Sequence, residues 1–155
     1  MGHVVLITGS REASPGMLAK AVEVVAWCQR EGHTILVGDA PGIDLQVRRA
    51  CQYLGYASVI VFGAYRKIRF NQVTVGRFVP LQGDYLQRDR VMAQQCSLCV
   101  CIWNGRSHGA KYTADAVQSL GKRVIWRVFP PPASLAPPHT IRWHLRRHAS
   151  PHVLW

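Results

Sequence analysis

Ser97-Leu98-Cys99-Val100-Cys101-Ile102-Trp103, followed by Asn104-Gly105-Arg106-Ser107-His108-Gly109 and then Ala110 to Leu120, is the stretch on which the fold turns. The first segment is an apolar run of strand length, rich in residues that fit a pleated surface. The second is too rich in glycine and polar residues to continue a strand. The third places Ala110, Thr113, Ala114, Val117 and Leu120 at helical spacing. A buried strand that feeds a glycine loop and a helix start leaves unpaired backbone N–H groups at the positive end of the helix dipole. Such a turn attracts anions, usually phosphate. Gly105 and Gly109 let the backbone approach a ligand, Ser107 adds a hydroxyl donor, and Arg106 and His108 flank it.

Working outward, the same unit repeats. Val4-Val5-Leu6-Ile7 is all apolar, as expected of a strand covered on both faces of a parallel sheet, and it ends in Thr8-Gly9-Ser10-Arg11. Ser14-Pro15 supplies an N-cap and a first-turn proline for a helix reaching Glu31-Gly32. Thr34-Ile35-Leu36-Val37 is a second strand, closed by Gly38-Asp39-Ala40-Pro41-Gly42-Ile43-Asp44, and a helix through Leu54 follows. Ser58 to Phe62 is a third strand. Gly63 to Gly83 breaks the pattern, mixing Tyr65, Arg66, Lys67, Arg69 and Phe70 into a loop or an irregular strand or two. Interleaved bases and aromatics of this kind are able to contact nucleic acid. Asp84 caps a helix to Gln95, and after the decisive stretch Gly121-Lys122 turns into a last strand, Arg123 to Trp126. Strands alternating with helices at this pace imply right-handed crossovers. The expected architecture is an α/β, Rossmann-like open parallel sheet of about five to seven strands with helices on both faces. It occupies residues 1–129, and residues 130–155 form a Pro-rich, basic, aromatic tail.

Composition narrows the function. The chain has 155 residues, 48% of them hydrophobic, enough for one core. No apolar run approaches the ~20 residues of a membrane helix, and no signal peptide is recognisable, so no membrane partner and a cytoplasmic location are expected. Net charge is +11 and no carboxylate follows Asp115, while Lys122, Arg123, Arg127, Arg142, Arg146 and Arg147 do. This balance points to a phosphorylated ligand or a polyanion. Cys96, Cys99 and Cys101 lack a second pair to complete a zinc site and are read as buried, reduced thiols. His144, His148 and His152 are interrupted by Pro151, so no metal is expected. The Gly105-x-Ser107-x-Gly109 spacing also fits a hydrolase nucleophile elbow, but Asp115 is the only acid left downstream and lies inside the predicted helix.

In an open parallel sheet, ligands bind beyond the carboxyl ends of the strands. Gly9, Ser10 and Arg11, then Gly38 to Asp44, then Gly105 to Gly109 all follow strands and predict one site built from three loops. Taken in order, Ile7-Thr8-Gly9-Ser10-Arg11, Gly38-Asp39-Ala40-Pro41-Gly42-Ile43-Asp44, Arg88-Asp89-Arg90-Val91-Met92, Gly105-Arg106-Ser107-His108-Gly109, Thr113-Ala114 and Gly121-Lys122 resemble the SLOG superfamily. That group includes DNA-processing protein A, the Lonely Guy phosphoribohydrolases and small Rossmann-like nucleotide-binding proteins. The resemblance spans about Val4 to Trp126. It implies a nucleotide or nucleotide-derived phosphorylated ligand at Gly9, Ser10, Arg11, Gly38, Asp39, Gly42, Asp44, Arg88, Gly105, Arg106, Ser107, His108, Gly109 and Thr113. Lonely Guy enzymes carry carboxylates just after the glycine loop, where this chain has Tyr112 and Thr113. No catalytic residue and no resident cofactor are therefore assigned. Single-stranded DNA or RNA binding, resembling DNA-processing protein A, stands as the alternative. Hydrolysis of a nucleotide N-glycosidic bond through Asp39, Asp44 or Asp89 is a further one. The tail carries Ile141, Trp143, Leu145, Val153, Leu154 and Trp155 beyond its prolines. Such apolar residues need cover, and a homodimer or higher oligomer supplies it.

Overall fold

The computed structural model describes residues 2–130. The expectations placed on the tail, including its docking on a second copy and the spacing of His144, His148 and His152, lie outside the described residues.

Six strands, β1 (Val4–Gly9), β2 (Thr34–Gly38), β3 (Val59–Gly63), β4 (Arg77–Pro80), β5 (Leu98–Trp103) and β6 (Arg123–Val128), form one sheet. Its order is β4-β3-β2-β1-β5-β6, and every pairing is parallel. Four helices connect them: α1 (Pro15–Glu31), α2 (Ile43–Leu54), α3 (Tyr85–Gln95) and α4 (His108–Ser119). The chain builds the sheet in one direction from β1 to β4, returns to the middle and builds the other way. Right-handed crossovers then put α1 and α2 on one face and α3 and α4 on the other. The two cores follow that division. Val5, Ile7, Val37 and Val61 pack with Met17 and Val24 of α1 and Val47 of α2, while Leu6, Leu36 and Phe62 pack with Met92 of α3 and Val117 of α4. Successive β1 residues point to opposite faces and both are buried, which is why the run contains no polar alternation. Burying each such aliphatic side chain contributes about 1.5–3 kcal/mol.

Local signals set the ends of the elements. The Ser14 hydroxyl accepts from Met17 N (3.3 Å) at the start of α1, and Gly32 (φ 70°) ends it. Asp84 and Gln87 form a reciprocal capping box on α3. The helices after the glycine loops begin earlier than their apolar period shows, at Ile43 and His108. The irregular region contains one short edge strand, β4, so the fourth strand by apolar pattern is the fifth in the chain. Strand order reverses between β1 and β5, and at that reversal two loops diverge at the carboxyl edge of the sheet.

Candidate functional site

Ser10 ties the three predicted loops together. Its N–H donates to Ile102 O (3.1 Å), its carbonyl accepts from Ile43 N (3.1 Å), and its hydroxyl accepts from Asn104 N (2.9 Å). The residue is fully buried. Gly42 is needed for this closeness: it has φ 78°, and a Cβ on it would sit 2.2 Å from Arg11 O. Gly9 packs against Ile102 O and the Ile43 side chain, and Gly38 against the Asp44 carboxylate. Gly9, Ser10, Gly38 and Gly42 therefore shape the site from behind.

In front of them lies a cleft of about 350 Å³, lined by Arg11, Glu12, Asn104, Arg106, Ser107, His108 and Gly109. Asn104 stitches its walls. Its Oδ1 accepts from Arg106 N (2.8 Å) and Ser107 N (3.0 Å), and its Nδ2 donates to Glu12 O (3.4 Å). The loop amides of Arg106 and Ser107, expected from sequence to hold the anion, are thus already taken. The start of α4 differs. Ser107 is its N-cap residue, yet its side chain caps no amide. The first-turn N–H groups of α4 are left without a side-chain cap at the mouth of a cleft that holds two arginines and a histidine. Gly109 has open space around it and Gly105 (φ 83°) takes the turn into this segment. An anion there gains about 0.3–1 kcal/mol from the dipole alone, beyond its hydrogen bonds.

The remaining predicted residues gather one layer below, in a buried ion network. Asp39 is 1% exposed, and its Oδ1 accepts from Arg88 Nη1 (2.6 Å) and Arg69 Nη2 (3.0 Å) while its Oδ2 accepts from Arg69 N (2.8 Å). Arg88 also donates to Asp89 Oδ1 from Nε (3.0 Å) and Nη2 (2.9 Å). Asp44 accepts from Ala40 N (3.2 Å). Burial pushes the Asp44 carboxyl up to about 6, against the pull of Arg88 and the Ala40 amide. Burial likewise raises Asp89, opposed by Arg88, the Thr113 hydroxyl and Arg11. For Arg88, burial alone lowers the pKa, but Asp89, Asp44 and Asp39 together outweigh it and the net direction is upward. Thr113 is buried and its hydroxyl donates to Gly109 O (3.0 Å), bracing the first turn of α4.

Five of the predicted residues, Arg11, Arg106, Ser107, His108 and Gly109, therefore meet at one cleft. Asp39, Asp44 and Arg88 do not line it, nor does Asp89, so none of the three carboxylates weighed for hydrolysis is on its wall. The predicted ligand site leaves out Glu12, Asn104 and Arg48, and Arg69 enters only within a basic, aromatic stretch able to contact nucleic acid. Asn104 was detectable as the first polar residue after a buried strand; Arg48 carried no signal, because it lies within an amphipathic helix.

No family model matches the chain, and no curated protein matches it. Solved structures do share its fold. DNA processing protein A from Helicobacter pylori, described with a single-stranded DNA binding mode, superposes with a TM-score of 0.66 at 17% identity, over 96% of this chain and 74% of that one. The molybdenum cofactor carrier protein of Chlamydomonas reinhardtii gives 0.65 at 13% identity, over 94% and 99% of the two chains. The molybdenum cofactor binding protein of Rippkaea orientalis gives 0.63 at 15% identity, over 96% and 86%. At these identities the likeness establishes the Rossmann-like fold, and the first of these neighbours belongs to the group that the motifs resemble.

Proposed function

We propose that this protein binds a nucleotide or nucleotide-derived phosphorylated ligand in the cleft between the β1–α1 and β5–α4 loops. The observation that carries the reading is the uncapped start of α4, facing a cleft with Arg11, Arg106 and His108 on its walls. A phosphate there would meet first-turn amides, the free Ser107 hydroxyl and two guanidinium groups at once. Arg88, Asp39 and Asp44 act beneath it as scaffold rather than in contact with the ligand. The fold supports the class, since its neighbours include proteins that bind single-stranded DNA or the molybdenum cofactor. Thermal denaturation with a panel of nucleoside mono-, di- and triphosphates tests it. At a ligand concentration of 100 times Kd, stabilisation is about 2.7 kcal/mol. No shift with any member at millimolar concentration overturns the reading.

Single-stranded nucleic acid is the second reading, favoured by the net charge of +11 and by the fold shared with the Helicobacter pylori protein. Binding of this kind weakens steeply with salt, because each neutralised phosphate releases counterions. Fluorescence anisotropy of a labelled oligonucleotide from low to physiological salt separates the readings. Absence of binding at low salt removes this one.

A further inference from the structure

The carboxyl ends of β3 and β4 carry a feature that the cleft does not use. Between Ala64 and Phe70, three residues with side chains adopt left-handed backbone: Tyr65 (φ 53°), Arg66 (φ 61°) and Phe70 (φ 53°). An L side chain crowds the neighbouring carbonyl in that region, so such residues persist only where the surroundings over-determine them, and they gather at functional surfaces.

The restraints are strong. Arg48, fully buried on α2, donates from Nη1 to Arg69 O (2.9 Å) and from Nη2 to Phe70 O (2.8 Å) and Val73 O (3.3 Å). Tyr65 N donates to Gly83 O (2.8 Å) and Arg66 N to Leu81 O (2.7 Å). The turn folds back so closely that Lys67 O would lie 1.9 Å from a Cβ on Gly63. Asp39 holds its far end through Arg69.

All of this holds an aromatic ring out in water. Tyr65 is 57% exposed, and Arg66 and Lys67 beside it are exposed too. The Tyr65 ring stands edge-on to Tyr85 at 5.4 Å. Tyr85 is backed in turn by the guanidinium groups of Arg69 and Arg88, 4.4 and 5.0 Å from its centroid. The turn packs Ile68 against the core, yet at its strained position 65 it displays a ring flanked by two cations. Stacking an aromatic base while meeting its phosphate is what such a surface does.

We propose that the turn from Ala64 to Phe70 is a second ligand subsite, in which Tyr65 stacks a base and Arg66 and Lys67 contact its phosphate. The proposal rests on the nucleotide reading of the cleft. In the sheet, β3 lies three strands from β5, so the turn and the start of α4, where the phosphate is placed, stand about 14 Å apart along the same edge. One nucleotide does not reach both. The ligand is then a molecule of two nucleotide units joined through phosphate, either a pyrophosphate-bridged dinucleotide or a phosphodiester-linked one.

Equilibrium titration of the full chain with a nucleoside monophosphate, a pyrophosphate-bridged dinucleotide and a two-nucleotide DNA tests this and tells the two sources apart. One of the two longer ligands is expected to bind at least about tenfold more tightly than the monophosphate, the gain expected of one base-on-aromatic stack. Tyr65→Ser removes that gain and leaves monophosphate affinity unchanged. Tyr65→Gly does the same and raises the melting temperature, because it relieves the left-handed strain. Equal affinity for all three ligands overturns the second subsite while leaving the cleft reading intact. A Tyr65→Ser variant that keeps the gain, or a Tyr65→Gly variant that melts lower, also overturns it. Failure of all three ligands to bind overturns both readings.

Discussion

Arg88 is the keystone of the buried network, and its removal has a calculable cost. Its guanidinium spans Asp39 and Asp89 with contacts of 2.6 to 3.0 Å, and its side chain is 7% exposed, against 1% and 7% for the two carboxylates. Arg88→Met keeps the length and apolar stem of the side chain but leaves Asp89 without its guanidinium and Asp39 with Arg69 alone. Breaking a buried pair by removing one partner costs about 3–5 kcal/mol. For a chain of this size, 1 kcal/mol shifts Tm by about 2–4 °C, so the variant is expected to melt roughly 10 °C lower at pH 7.5. The difference should depend on pH. Without the guanidinium, the carboxyl groups of Asp44 and Asp89, already raised by burial, rise further above their unfolded values. A folded state whose acid has a raised pKa binds the extra proton, so it regains stability as pH falls. The gap between wild type and Arg88→Met should therefore narrow from pH 7.5 to pH 5, as followed by circular dichroism melts. Arg88→Lys, which keeps the charge but not the fork of donors, should fall between. A shift under about 2 °C at pH 7.5, or one that does not change with pH, refutes the network as described.

Three further outcomes are expected. Asp44 has a folded pKa of about 6, above its unfolded value, so its burial penalty is absent near pH 4 and develops as pH rises through 6. Asp44→Asn keeps an acceptor for Ala40 N, and in urea titrations it should remove up to about 3 kcal/mol of stability loss between those pH values. Asn104→Ala frees the amides of Arg106 and Ser107; hydrogen exchange should show both losing protection, with about 1–2 kcal/mol of destabilisation and weakened nucleotide binding. Truncation after Phe129 should lower the mass seen by light scattering towards one chain, or cause aggregation. A full-length chain that is monomeric at high micromolar concentration contradicts tail-mediated assembly.

Much of the fold was legible because its central strands are buried on both faces and carry no polar alternation. Val4 to Ile7 and Leu98 to Trp103 read as core strands without help from the rest of the chain. β4 was legible only as an irregular strand somewhere within 63–83, since Arg77 and Pro80 at its ends are exposed, as an edge strand permits, and just two apolar residues, Phe78 and Val79, mark it. The cleft emerged because glycine and polar residues after a strand signal a turn at the carboxyl edge of the sheet. The division of labour among those residues stayed hidden. Asp39 and Arg88 look like ligand contacts in sequence, and only the fold brings together two side chains 49 residues apart and turns them inward as a pair. Arg48 shows the converse: a charged residue on a helix reads as solvated, yet here it is fully buried and holds two carbonyls of a strained turn and a third just beyond it.

A phosphate bound at the start of α4, as proposed, would perturb the amides around it. Backbone amide NMR of the uniformly ¹⁵N-labelled chain, titrated with a nucleoside phosphate, reports on that location residue by residue. Saturable shifts concentrated at Arg11, Glu12, His108, Gly109 and Ala110, and lost in Arg106→Ser, are the predicted result. Shifts confined to other surfaces, or none at millimolar ligand, would contradict it.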